Sequence, residues 1–179
     1  MATHADIAHF NQLLISVLLE ANYRSAQEVG ELFSLDPRSV AILRTIDHQR
    51  QQELIRHCNA ILAVPAFTEA ELTTLAASET SAGNDDAVLW TLNLEYLQLI
   101  KQLALTNIRD SSYRLQTSPS LALTVKNFTG TTIRKIAQTA SKPFFRVNIS
   151  PVLARTIQGS NLALLPYLAT VAGTRRVGA

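Results

Sequence analysis

Five cations, Lys126, Arg134, Lys135, Lys142 and Arg146, crowd into one short stretch of this chain. Around them, residues 121–137 read as a helix, a turn at Thr129-Gly130 and a second helix opening with Thr131-Thr132-Ile133-Arg134-Lys135. In a helix-turn-helix protein the start of the second helix enters the major groove, where Thr131 and Thr132 can touch bases or phosphates and Arg134 and Lys135 can reach bases or backbone. Arg109 and Arg114 would add phosphate contacts. The same residues also describe the solvated face of an amphipathic helix that buries Ile133, Ile136 and Ala137, and spacing does not separate the two readings. Lys126 occupies a position, four before the turn glycine, where a small residue is usual, so a looser geometry is implied.

Other chemistry finds little support. His57 and Cys58 are neighbours, but adjacent helical residues point about 100° apart and do not face each other. Cys58 reads as a small core residue. His4 and His9 have no metal-ligand spacing, and His48 reads as a solvent-facing helix residue. Six scattered glycines build no phosphate-cradling loop, and Gly130-Thr131-Thr132 lacks the lysine of a P-loop. Asp85-Asp86 reads as a solvating loop pair and Trp90 as a packing residue. The expectation is a non-enzyme without metal or cofactor.

The whole chain has 179 residues, 47% hydrophobic and 17% charged, with a net charge of +2. That small sum hides an uneven division. Residues 1–82 hold five Arg and ten acids, net −5, whereas residues 83–179 hold eleven Lys+Arg and four acids, net +7. A single cysteine permits no internal disulfide, so a reducing cytosol is the natural compartment. The first residues lack a basic leader, and no run approaches a membrane span of about 18 apolar residues. A soluble cytoplasmic protein is expected.

The elements that must position the basic segment follow from periodicity and caps. Phe10, Leu13, Leu14, Val17, Leu18 and Ala21 form the stripe of a core-facing helix, which the pattern extends toward Phe33 despite Gly30. Asp36-Pro37 starts a short helix to Thr45, Asp47 caps another from His48 to about Asn59, and 61–67, broken by Pro65, is extended. Thr68-Glu69-Ala70-Glu71 is a capping-box pattern for a further short helix, followed by the small and polar linker of residues 78–86. Beyond it Leu89, Leu92, Tyr96, Leu99 and Leu103 line a long helix. Leu94, Leu97 and Ile100 widen its apolar surface, which points to burial on two sides, with Leu92, Tyr96, Leu99 and Leu103 as an oligomer interface. Ser118-Pro119 starts a short helix to about Asn127, Thr129 caps a helix to about Ser141, and Phe144 to Ile149 is strand-like.

At an offset of 82 residues, Asn11 falls on Asn93, Pro37 on Pro119, Arg44 on Lys126, Ile46 on Phe128, Asp47 on Thr129 and Leu54 on Ile136. Identity is negligible. The order of signals is shared: long helix, cap-Pro, short helix, cap, helix, break, extended tail. The boundaries read as a first acidic unit (1–78), a linker (79–86), a second basic unit (87–149) and a C-terminal docking segment with a basic tail (150–179). In the first unit the equivalent second helix, His48-Gln49-Arg50-Gln51-Gln52-Glu53, has a polar face suited to packing against a partner or the other unit.

The residues Leu92-Asn93-Leu94-Glu95-Tyr96-Leu97, Arg109-Asp110 and Phe144-Phe145-Arg146-Val147 resemble the bacterial flagellar transcriptional activator family FlhD. That family looks like Asn-x-x-Tyr-Leu on a long first helix, an Asp past its end, a short capped helix, a further helix and a Phe-Arg-Phe-like strand. The resemblance covers about 92–149, and more faintly 10–67. It implies an all-α fold of tandem FlhD-like units with short extended segments and a helix-turn-helix-like element in each. It also implies an activator that binds duplex DNA as a homo-oligomer or with a second subunit, as FlhD pairs with FlhC. The family member is a single unit that dimerises, whereas this chain would hold two, and its one cysteine cannot supply the zinc site expected of FlhC. The alternative is a non-enzymatic oligomerisation or adaptor protein that binds a protein partner through the Leu92 to Leu103 stripe.

Overall fold

The computed structural model describes residues 4–20, 23–57, 63–78, 85–149 and 158–159. Among these the chain is mostly helical: α1 (His4–Leu19), α2 (Ala26–Phe33), α3 (Pro37–Arg44), α4 (His48–His57), α5 (Glu69–Ala77), α6 (Ala87–Thr106), α7 (Ile108–Leu115), α8 (Pro119–Asn127) and α9 (Gly130–Thr139). Two three-residue strands, β1 (Ala63–Pro65) and β2 (Phe145–Val147), pair in one small sheet. No helix among the described residues is long and apolar enough to cross a membrane.

Local chemistry sets the helix ends. The Asp36 and Ser118 side chains accept from the backbone amides of Arg38 and Leu121, each just ahead of a proline at the first helical position. Thr68 and Glu71 close a reciprocal capping box at α5. The expected run from α1 on to Phe33 does not occur, because Ser25 and Glu28 form a second capping box that starts α2 afresh. Gly30 belongs to that new helix. A Cβ there would lie 2.8 Å from the Leu35 carbonyl oxygen and 3.0 Å from Pro37 Cγ, so only glycine lets the α2–α3 turn close this tightly. Asp86 likewise is no free loop residue: its Oδ1 accepts from the Leu89 amide at 2.9 Å and caps α6.

Cap and turn positions recur at the 82-residue offset beyond what the sequence reading paired. Ser25 and Asn107 are both N-caps, of α2 and α7. Ser34 and Gln116, the residues that end those helices, are among the described residues the two non-glycine positions with left-handed backbone, at φ 56° and 53°. Asp47 accepts from the Arg50 amide as Thr129 does from that of Thr132, and β1 and β2 stand at the same offset.

The chain divides into two compact units, one of residues 1–6 and 64–146, the other of 7–63 and 147–179. This differs from the division at the polar linker: α5 belongs with α6–α9. In that unit α7, α8 and α9 pack on α6, while α5 packs on α9 and more lightly on α8. Its core is built from Leu89, Leu92, Tyr96, Leu97, Leu99, Ile100 and Leu103 of α6, Leu121 and Val125 of α8, and Ile133 and Ile136 of α9, with Leu72 of α5 fully buried. Burial of a leucine of this kind contributes about 1.5–3 kcal/mol. The other unit buries Ile7, Phe10, Leu14, Ile15 and Leu18 of α1, with Val29 and Phe33 of α2 and Val40 and Leu43 of α3. The expected linker at 79–84, Cys58, and nearly all of the expected docking segment and tail at 150–179 lie outside the described residues.

Candidate nucleic-acid interface

α9 is held by its own chemistry. Thr129 Oγ1 accepts from the Thr132 amide at 3.1 Å and lies 2.8 Å from the hydroxyls of both Thr131 and Thr132. The two threonines expected to meet DNA are therefore knitted into the cap, with Thr131 exposed and Thr132 half-buried. Ile133, Ile136 and Ala137 face inward, leaving Thr131, Arg134, Lys135 and Gln138 on the outer face. A Cβ built on Gly130 meets nothing within 4 Å, so the first turn opens onto space.

The cations divide by what holds them. Lys135 Nζ donates to the Ala76 carbonyl at 3.0 Å, at the end of α5, so part of its work is to fasten α5 to α9. Lys142 is exposed, and its backbone carbonyl accepts from Asn93 Nδ2 at 3.1 Å. Arg146 projects from β2 between the buried Phe145 and Val147. Lys126 is half-buried on α8. Arg114 pairs with Asp110 at 3.0 Å, which neutralises it, while Arg109 is exposed. Both arginines sit on α7, a helix packed on α6 and α8, whereas Arg134, Lys135, Lys142 and Arg146 lie on α9 and the segment leading from it through β2.

α5 carries acidic groups into this unit, one of them near Lys142. Glu69 Oε1 accepts from the Thr124 hydroxyl at 2.8 Å. The Thr68 amide and hydroxyl hold the Glu71 carboxyl below the ordinary carboxylate range, with a smaller contribution from Lys142. Counted by compact unit, residues 1–6 and 64–146 hold eight Lys+Arg and eight Asp+Glu, and the other unit holds eight against six. The contrast of −5 and +7 belongs to the order of the sequence and not to the folded units.

The expected oligomer interface is also placed otherwise. Leu92, Tyr96, Leu99 and Leu103 are 0–4% exposed. The wide stripe is wide because α7, α8 and α9 of the same chain cover it. Tyr96 packs against Phe145 with ring centroids 5.0 Å apart and edge-on to Phe67 at 6.4 Å, and burial pushes its phenol above the ordinary range.

Several residues escaped the sequence reading. Lys101 Nζ donates to the Phe128 carbonyl and ties α6 to the turn between α8 and α9. Those two helices each pack on α6 and on α5, so the element does not have the mutual helix packing of a standard helix-turn-helix. Trp90 is half-buried and lines a cleft with Arg134 and Gln138. One further signal was available: Asp110 is the last acidic residue of the chain, and residues 111–179 contain nine Lys+Arg and no Asp or Glu. Among the described residues no group of three or more His, Cys, Asp or Glu side chains is placed to hold a metal ion. No protein-family model, no curated protein and no solved structure matches the chain.

Proposed function

We propose that the chain is a non-enzymatic DNA-binding transcriptional regulator made of two tandem FlhD-like units, acting as an oligomer with itself or with a second subunit. Duplex DNA meets the outer face of α9 and the segment that follows. The observation that carries this reading is the exposed series Thr131, Arg134, Lys135, Gln138, Lys142 and Arg146, within a 69-residue stretch that has no acidic residue. The recurrence of caps, left-handed residues and strands at one offset supports a duplicated unit. Phosphate contacts from such a face give affinity that falls with salt, while Arg134 and Gln138 supply the side-chain types that read guanine and adenine edges.

The test is a gel shift with random-sequence duplex. Arg134→Glu combined with Lys142→Glu should abolish retardation with unchanged circular dichroism; Lys135 is spared because it fastens α5. Retardation equal to that of the unaltered protein removes this placement. A second reading, a protein-binding adaptor, rests on Leu105, Tyr113 and Leu123, which are 57%, 83% and 45% exposed on α6, α7 and α8. It predicts that Tyr113→Ala releases a co-purifying protein while the charge reversals do not.

A further inference from the structure

A cleft of about 380 Å³ opens beside the start of α6, lined by Asp85, Ala87, Trp90, Arg134 and Gln138. Its side chains differ in kind from those of a phosphate site. Trp90, half-buried in the first turn of α6, offers part of an indole face for stacking. Arg134 and Gln138 stand one turn apart on the same side of α9 and are both exposed. Asp85 brings an exposed carboxylate, and Ala87 adds only a methyl to the wall. Among the described residues no hydrogen bond or ion pair engages the Arg134 guanidinium or the Gln138 carboxamide.

From this set we infer that the cleft takes a guanine base. Guanine presents two acceptors, O6 and N7, on one edge, which a guanidinium matches with two parallel N–H donors. Its N1–H and N2 amino group are donors on another edge, and the carboxylate of Asp85 accepts from them. Its π face stacks on Trp90, a contact that every base can make and that therefore adds affinity without choosing between bases. Adenine fits worse: it has a bare N1 where guanine has a donor, so its lone pair would face the Asp85 carboxylate, and it places an amino group where Arg134 requires an acceptor. The base can come from a free guanine nucleotide or from an unpaired position in a strand.

Trp90 is the chain's single tryptophan, so its fluorescence reports on the cleft directly. The full chain is titrated with guanosine and adenosine monophosphates, and with an oligothymidylate carrying or lacking one guanine, using free N-acetyltryptophanamide to correct for inner-filter loss. Guanine ligands should quench saturably and adenine about tenfold more weakly. Quenching by the free nucleotide identifies a nucleotide site, and quenching only by the guanine-bearing oligomer identifies an unpaired strand. Asp85→Ala should reduce the preference for guanine to the part that Arg134 supplies, and Arg134→Ala should remove the quenching, both with unchanged circular dichroism. Equal quenching by the two bases, a preference undiminished by Asp85→Ala, or no quenching by either guanine probe overturns the assignment. Duplex retention in a gel without any such quenching overturns the cleft alone and leaves the duplex reading standing.

Discussion

Replacing Asn93 tests what the Asn-x-x-Tyr-Leu pattern is for. Asn93 is fully buried on α6; its Nδ2 donates to the Lys142 carbonyl at 3.1 Å and its Oδ1 accepts from the Phe144 amide at 2.9 Å. One side chain therefore fastens the segment that leads from α9 into β2, which also carries Lys142 and Arg146. Asn93→Ala removes both partners and strands a buried amide and a carbonyl. Each unsatisfied buried group costs about 1–3 kcal/mol. The Phe144 amide is sealed in, whereas the Lys142 carbonyl lies at an exposed residue where water can replace the lost donor, so the sum is set toward the lower half, about 2–4 kcal/mol. The assay is urea unfolding followed by Trp90 fluorescence, which samples the same helix, with Asn127→Ala, at the exposed last residue of α8, as a control expected within about 0.5 kcal/mol of the unaltered protein. Asn93→Asp keeps the acceptor for Phe144 but turns the group facing the Lys142 carbonyl into a charge. Only its protonated form donates there, so its folded pKa is raised and its stability recovers as pH falls through that value. An Asn93→Ala cost no larger than that of Asn127→Ala refutes the clamp.

Three further outcomes follow from the same geometry. Gly30→Ala, a change that usually stabilises a helix interior by up to about 1 kcal/mol, should destabilise here by about 1–3 kcal/mol because the new Cβ meets a backbone oxygen, as thermal melting will show. Arg44 donates to the carbonyls of Leu18, Glu20 and Arg24, the last at 2.7 Å, and Arg44→Lys should lose the fork and lower the unfolding free energy in a urea titration by about 1–2 kcal/mol. The Glu71 carboxyl is held below its ordinary value by Thr68, so its contribution is full above the unfolded value and disappears as pH falls through the folded one. Unfolding midpoints of Glu71→Gln and the unaltered chain should accordingly differ at about pH 6 and draw together as pH falls below the ordinary carboxylate range.

Caps were the most legible feature, because a cap is a local hydrogen bond written by residue type. Asp36-Pro37, Thr68 with Glu71, Ser118-Pro119 and Thr129 all mark helix starts in the structure. Ser25 with Glu28 carries the same code but sits inside apolar periodicity that continues past it, and the period outweighed the cap. α7 was hidden in the same way, since Asn107 at once ends α6 and starts α7. What could not be read locally is where an element docks. α5 follows the first half in sequence and packs on α8 and α9, and a contact of that kind leaves no periodic trace in either segment. It is why the charge contrast drawn along the chain vanishes when the compact units are counted. The breadth of the α6 stripe answers to α7, α8 and α9, which cover it from the same chain.

Association with DNA is measured most directly by light scattering after size-exclusion chromatography of the full chain, with and without a short random-sequence duplex, at low and at raised salt. If duplex binds the outer face of α9 as proposed, the mass rises with duplex at low salt and the rise is lost as salt increases, because phosphate contacts from exposed cations displace counterions. A mass unchanged by duplex even at the lowest salt contradicts it.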